Sequence, residues 1–290
     1  MKKYILYLIG VTVLCLSYGC SEDDLDSKSI FDTNPVELND FDKWIRSNLV
    51  APYNINVVYR LDDIEAPYRY TLTPAEYEKS VLLAKLAKFI WLEALDEAAG
   101  FEFTRTYVPR TLLFVGSGGY DTQGTVTLGT AEGGIKIVLF NVNSLVITPQ
   151  TNVLNFSYFK TMFHEFSHIL HQTKNYDIEF QKITESSYVL GDWYMHSAAD
   201  AYKLGYVSAY SRHSPNEDFV EIISIYVTRS QENWNNILTA AGPDGAAIIN
   251  RKFEIVQNYL KNSWGIDLDE LRRIVHRRAT EVPLLDLEQL

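Results

Sequence analysis

The sequence predicts an α+β chain, and three observations predict it. A helical pattern with its own start and stop signals occupies residues 73–99. Short β-rich runs separated by glycines fill residues 110–143, and everything after about Asn155 returns to helical periodicity. A helix, then a small sheet, then mainly helices is the expected order.

The N-terminus is a separate object. Lys2 and Lys3 precede an apolar stretch, Tyr4 to Leu16, that is short for a membrane span, and Ser17-Tyr18-Gly19-Cys20 ends it. The segment resembles a bacterial lipoprotein signal, which implies cleavage of residues 1–19 and lipid on the Cys20 thiol. Both cysteines, Cys15 and Cys20, lie here, so the mature chain has no thiol for a disulfide or a thiolate metal site. "SEDDLD" follows, with four acids in six residues. It reads as a solvated tether over residues 20–40, and it resembles the acidic tag of lipoproteins sent to the outer face of the outer membrane. Loss of Met1–Gly19 removes two lysines and no acid, leaving 24 bases against 37 acids, a charge of −13. That balance argues against nucleic acid as a partner.

The remaining chain, 41–290, is expected to form one domain, with a helix-plus-sheet lobe over 41–150 and a helical lobe over 151–290. A hydrophobic share of 47% and an aromatic share of 13% suit a packed core. "INVVYRL", Ile55 to Leu61, is a candidate strand. Thr73-Pro74-Ala75-Glu76 carries the signals of a helix start: a capping Thr, Pro at the first position and a carboxylate in the first turn. The apolar pattern runs to about Ala99, and Gly100 closes it. "TLLFV" and "IKIVLFNV" read as strands flanking "GSGGYDTQGTVTLGTAEGG". No Gly-Lys-Ser/Thr follows those glycines, so they read as hairpin turns rather than a phosphate loop.

Phe156 to Thr173 is the informative helix. At about 100° per residue, Phe156, Phe159, Phe163, Phe166 and Leu170 share one stripe, and His164 and His168 lie together on the next. An i, i+4 pair lets two imidazoles meet one tetrahedral ion, and Glu165 beside them can take the proton of a metal-activated water. The stretch His164-Glu165-Phe166-Ser167-His168 is thus an HExxH zinc motif. A metzincin layout is excluded, because His171 and Lys174 stand where it needs Gly and His. His171 is placed at the edge of the site.

A third ligand is needed, and "GYVSAYSRHSPNEDFVEIISIYV" offers one. Ser214-Pro215-Asn216-Glu217 starts a helix with an apolar stripe of Phe219, Ile222, Ile223 and Tyr226. Glu217 and Glu221 are one turn apart on another stripe. Glu217 is the leading candidate, with Asp218, Glu221 and His213 as alternatives. Ser214-x-x-Glu217 is also a capping box, which alone would explain the glutamate. Glu221 could fix the tautomer of a ligating histidine.

Together the lipoprotein start, "YNINVVYRL", "FHEFSHILHQ" and "GYVSAYSRHSPNEDFVE" resemble the zinc-binding metallopeptidase lipoproteins, whose two zinc segments look like the gluzincin arrangement of HExxH followed by a Glu-x-x-x-Asp/Glu helix. The resemblance implies a zincin-like fold, Zn2+ held by His164, His168 and Glu217, Glu165 as general base and Glu221 behind the ligands. It also implies peptide or glycopeptide substrates and a place beside a TonB-dependent transporter and its surface binding lipoprotein, on the import surface of the outer membrane. A related toxin-type gluzincin carries an oxyanion-stabilising tyrosine seven residues before the glutamate; here that is Tyr210, with Arg212 and His213 as alternatives. Two other classes remain open: a zinc hydrolase of another amide, and a surface binding protein that keeps zinc for stability. Only three protein ligands are evident, where a structural zinc normally has four, which leaves a water position and favours catalysis. No calcium-loop signature stands out.

Overall fold

The computed structural model describes residues 37–61, 70–120, 126–127, 129–132, 135–148, 150–287 and 289–290. The expected signal segment, Cys20 and most of the tether lie outside the described residues. The unit Asn39–Leu290 is compact in itself.

The first described helix, α1 (Asp40–Ile45), starts on the last residue of the expected tether. A reciprocal capping box explains the start: the Asn39 side chain accepts from the Asp42 N–H (2.8 Å), and the Asp42 carboxylate accepts from the Asn39 N–H (3.1 Å). The helix continues through a π-helical stretch, Arg46–Val50, into Ala51–Tyr53, and Asn54 in the left-handed region turns the chain out of it. β1 (Asn56–Val58) is shorter than the seven residues expected. It stops because Tyr59 and Arg60 turn back to bond Asp42 on α1.

α2 (Tyr77–Leu86) starts later than its local signals predict, and Thr73 is not its cap. Thr73 and Pro74 instead lie against the sheet: the Gly116 N–H donates to the Thr73 carbonyl (2.8 Å), and the Thr73 N–H donates to Ser117 Oγ (3.0 Å). The helix start is capped from far along the chain, because Asn143 Oδ1 accepts from the Glu76 N–H (2.7 Å) while its Nδ2 donates to the Pro74 carbonyl (3.2 Å). Gly116 is required for this approach, since a Cβ there would stand 2.2 Å from the Pro74 oxygen. Asn143→Ala should lose both bonds and destabilise the protein by about 1–2 kcal/mol. A lower urea midpoint at constant slope would show it; an unchanged midpoint would mean water replaces the amide without loss.

Past a second π-helical stretch, Ala87–Leu92, the helix goes on as α3 (Glu93–Ala99) and ends at Gly100 (φ +91) as expected. α4 (Phe101–Tyr107) leads into the strands β2 (Thr111–Phe114), β3 (Gly119–Tyr120), β4 (Val126–Thr127), β5 (Gly129–Glu132) and β6 (Lys136–Leu139). β1, β2 and β6 are parallel, β5 is antiparallel at the β6 edge, and β3–β4 form a separate antiparallel ribbon. The glycine-rich segment therefore makes hairpins. Leu112, Phe114, Ile137 and Leu139 face the main core, while Leu113, Val115, Val138 and Phe140 pack under a second cluster with Tyr70 and Leu72. Burial on both faces is why these strands read as unbroken apolar runs.

The helical part comprises α5 (Ser157–Thr173), α6 (Glu179–Ile183), α7 (Ala198–Lys203), α8 (Pro215–Thr228), α9 (Gln231–Trp264) and α10 (Leu268–Glu281). α9 is kinked at Gly242 (φ +69), which precedes Pro243. The predicted stripe of α5 is buried at Phe159, Phe163, Phe166 and Leu170, and that of α8 at Phe219, Ile222, Ile223 and Tyr226. α10 returns to the N-terminal helices: Arg278 donates to the Phe89 carbonyl (3.0 Å) and to Glu93 (2.8 Å), and Arg277 pairs with Glu97 (2.6 Å). One core thus draws on both predicted lobes. The fold is α+β and zincin-like, with the small sheet preceding the HExxH helix. No described helix is long and apolar enough to cross a membrane.

Candidate metal centre

α5 and α8 pack against each other and bring the two predicted segments together. Donor atoms of His164, His168 and Glu217 all lie within 4.8 Å of one another. Glu217 Oε2 is 3.0 Å from His164 Nε2 and 3.3 Å from His168 Nε2, so both imidazoles present the same nitrogen to the same carboxylate. Two neutral imidazoles and a carboxylate are a donor set that suits zinc and leaves a fourth position open. Among the described residues no other such group occurs, and Asp218, Glu221 and His213 are not in it.

Capping accounts for the Glu217 backbone but not for its carboxylate. Ser214 Oγ accepts from the Glu217 N–H (3.4 Å) and starts α8, but the Glu217 carboxylate does not close the box. It turns to the histidines. Burial would raise its pKa, yet the hydrogen bonds from His164 and His168 hold it well below the usual carboxylate range. His164 shows the converse: burial would lower its pKa, and Glu217 and Glu221 push it up to about 9.

Each histidine is also held from behind. His164 Nδ1 donates to Glu221 Oε1 (2.9 Å), as the i+4 spacing from Glu217 suggested. Glu221 is fully buried and accepts further from Lys160 Nζ and from Ser208 Oγ (2.6 Å). Despite the cost of burial, Lys160 and His164 keep it ionised, with a pKa well below the usual range. On the other side, His168 Nδ1 lies 2.9 Å from His171 Nε2. Burial lowers the His171 pKa to about 4, so its neutral ring can accept from the His168 Nδ1–H. With each Nδ1 engaged elsewhere, both Nε2 atoms are left to face the Glu217 carboxylate, where a metal ion would take the place of the protons between them. His171 is buried between Tyr176 and Phe219 rather than lying at the edge of the site. Its i+3 spacing from His168 was the available signal. Ser208 and Lys160 carried none.

Glu165 lies beside the pair, half-buried, and outside the converging donors. Burial raises its pKa, with His164 and His168 pulling it down and Glu217 pushing it up. Tyr210 sits in a 3-10 turn, Tyr210–Arg212, with its ring 5.9 Å from that of His164. Burial raises its pKa, and the nearby Glu217, Glu221 and Glu165 carboxylates add to that. Arg212 does not share the site: its guanidinium donates to the Ser187 carbonyl (3.3 and 3.2 Å) and holds the preceding loop. His213 packs its ring beside Tyr210, 5.7 Å away.

Two features were not legible in the sequence. The loop turn Leu190–Met195 carries Trp193 edge-on against Tyr210 (4.9 Å), with Leu190, Tyr194 and Met195 exposed beside it. Leu190 holds a positive φ of 51°, a conformation disfavoured for its branched side chain. Beneath Glu217, Asp218 and Lys252 form an ion pair (2.6 Å) with no solvent exposure, joined by Tyr188 and capped by the Tyr206 ring.

The profile of a family described as "Putative zinc-binding metallo-peptidase" matches residues 34–269. A crystal structure of a "putative zinc-binding metallo-peptidase" from Bacteroides caccae is 42% identical, covering 90% of this chain and 99% of that one, with a TM-score of 0.77. No curated protein matches the chain.

Proposed function

Because the chain belongs to this zinc-binding metallopeptidase family, we propose that it hydrolyses peptide bonds at a zinc ion held by His164, His168 and Glu217. The convergence of these three donors, each histidine with its other nitrogen already engaged, carries the reading. A zinc ion there would supply Lewis-acid polarisation of the scissile carbonyl and a more acidic water. Glu165, outside the ligand set and with its pKa raised, takes the proton of the attacking water and passes it to the leaving amine. The Tyr210 hydroxyl, beside Glu217, donates to the carbonyl oxygen as charge develops on it. β5 is the sheet edge and packs beside α5, so an extended substrate can add to it as a strand, with backbone bonds setting its register.

Metal analysis and cleavage of a peptide library test this together. Zinc near one per chain, cleavage abolished by a chelator and restored by zinc are the expected results. Zinc retained without any cleavage would favour the binding-protein alternative, and cleavage only of glycopeptides would move the substrate to the other amide class.

The segment Lys2–Cys20 and the acids after it support export as a lipoprotein anchored through Cys20 in the outer membrane, facing the cell surface and serving nutrient import with a TonB-dependent transporter. Labelled palmitate should enter the wild type and not Cys20→Ala, and protease added to intact cells should remove the protein. A protected protein would place it on the periplasmic face.

A further inference from the structure

We propose that a cavity behind the metal centre binds a small carboxylate ligand, with Arg229 as its principal anchor. The cavity measures about 570 Å³ and its polar wall is Lys160, Ser208, Glu221, Arg229, Asn233 and Asn236. That volume lies in the range of small-molecule sites, roughly 300–1,000 Å³. Ile225 and Ile237 supply part of an apolar floor. The cavity follows α8 away from the three converging donors: Arg229 comes twelve residues after Glu217, or about 18 Å at the rise of a helix. A ligand on Arg229 therefore does not reach the metal position.

Charge selects the ligand. The chain carries a formal charge of −11, yet this wall holds two cations and a single carboxylate. That carboxylate, Glu221, is buried and already accepts from Lys160, Ser208 and His164. Arg229 is different. Its backbone is engaged, the N–H donating to the Ile225 carbonyl (2.9 Å) and the carbonyl accepting from Arg272 Nη2 (2.9 Å), but its guanidinium has no ion pair or hydrogen bond among the described residues. Lys160, with its side chain 28% exposed, spends one of its three donors on Glu221 and keeps the others for an incoming oxygen. The free planar fork of Arg229 matches a planar monoanion, and Lys160, which also lines the cavity, adds positive charge to it. The exposed amides of Asn233 and Asn236, on the first turns of α9, can bond hydroxyl or peptide groups attached to it. A sugar acid and the C-terminal carboxylate of a short peptide share this chemistry.

Calorimetric titration of the zinc-loaded protein distinguishes them. The probes are glucuronate and N-acetyl-dialanine, each beside its neutral counterpart, glucose and N-acetyl-dialanine amide. At least one carboxylate should bind saturably and its counterpart should not; the one that binds identifies the source. Arg229→Ala should weaken that binding about tenfold or more while zinc content stays unchanged. Should Arg229→Ala not fold, Asn236→Asp places a negative charge in the cavity from an exposed helix position and should weaken binding similarly. Absence of binding by both carboxylates overturns the proposal, as does equal binding of the neutral forms. Binding that survives Arg229→Ala unweakened would show that Arg229 is not its anchor and overturn the proposal too.

Discussion

Glu165→Gln should lower kcat for peptide cleavage by roughly 10²–10⁴-fold and leave zinc in place. The replacement keeps the size of the side chain and removes only its ability to take a proton. Glu165 is outside the group of converging donors, so the metal should not depend on it. Its environment also suits a proton carrier: burial, with Glu217 nearby, holds its pKa above the ordinary value, closer to working pH than a solvated glutamate. The histidines beside it limit that rise, so the carboxylate remains available as a base. Substrate affinity should change little, placing the loss in kcat rather than KM. Cleavage at wild-type rate would show that the base lies elsewhere, and loss of zinc along with activity would show Glu165 to be a ligand.

The metal helix was legible because its information is local. His164, Glu165 and His168 lie within five residues, and the periodicity of the phenylalanines fixes which way each points. Glu217 was legible for a weaker reason: a capping box explains its position without any metal, and only the missing third ligand tipped the reading. The structure shows why the two explanations do not compete, since Ser214 needs only the Glu217 backbone. What supports the histidines was legible only in part. Glu221 follows from a one-turn spacing, but Ser208 and Lys160 reach it from other elements, where no spacing rule applies. The start of α2 fails for the same reason: Thr73-Pro74 is a sound local signal, and Asn143, far along the chain, overrides it. The turn at Leu190–Met195 has no periodic signature at all, so the apolar rim beside Tyr210 is visible only once folded.

Glu217→Ala should strip the metal, and the comparison with Glu221→Gln shows why the two glutamates on α8 differ. Glu217 brings a carboxylate oxygen to within 3.3 Å of both Nε2 atoms, and only His164 and His168 would remain without it. Glu221 touches no atom of the converging trio except His164 Nδ1, which faces away from the metal position. Its amide analogue can still accept from that nitrogen, but loses the charge that balances Lys160 and strengthens the histidine as a donor. Such outer partners typically change metal affinity 10–100-fold, so Glu221→Gln should refill at higher free zinc. Glu217→Ala should stay empty over the same range in a competitive chelator titration. Asp218 cannot take its place, because its carboxylate is bound to Lys252 and Tyr188 in the interior below. Moving it to the metal would leave the Lys252 ammonium buried without a counter-charge, a loss of about 3–5 kcal/mol. Zinc occupancy near one in Glu217→Ala would therefore overturn the ligand set itself, whereas equal losses in the two variants would mean that Glu221, too, binds the metal directly.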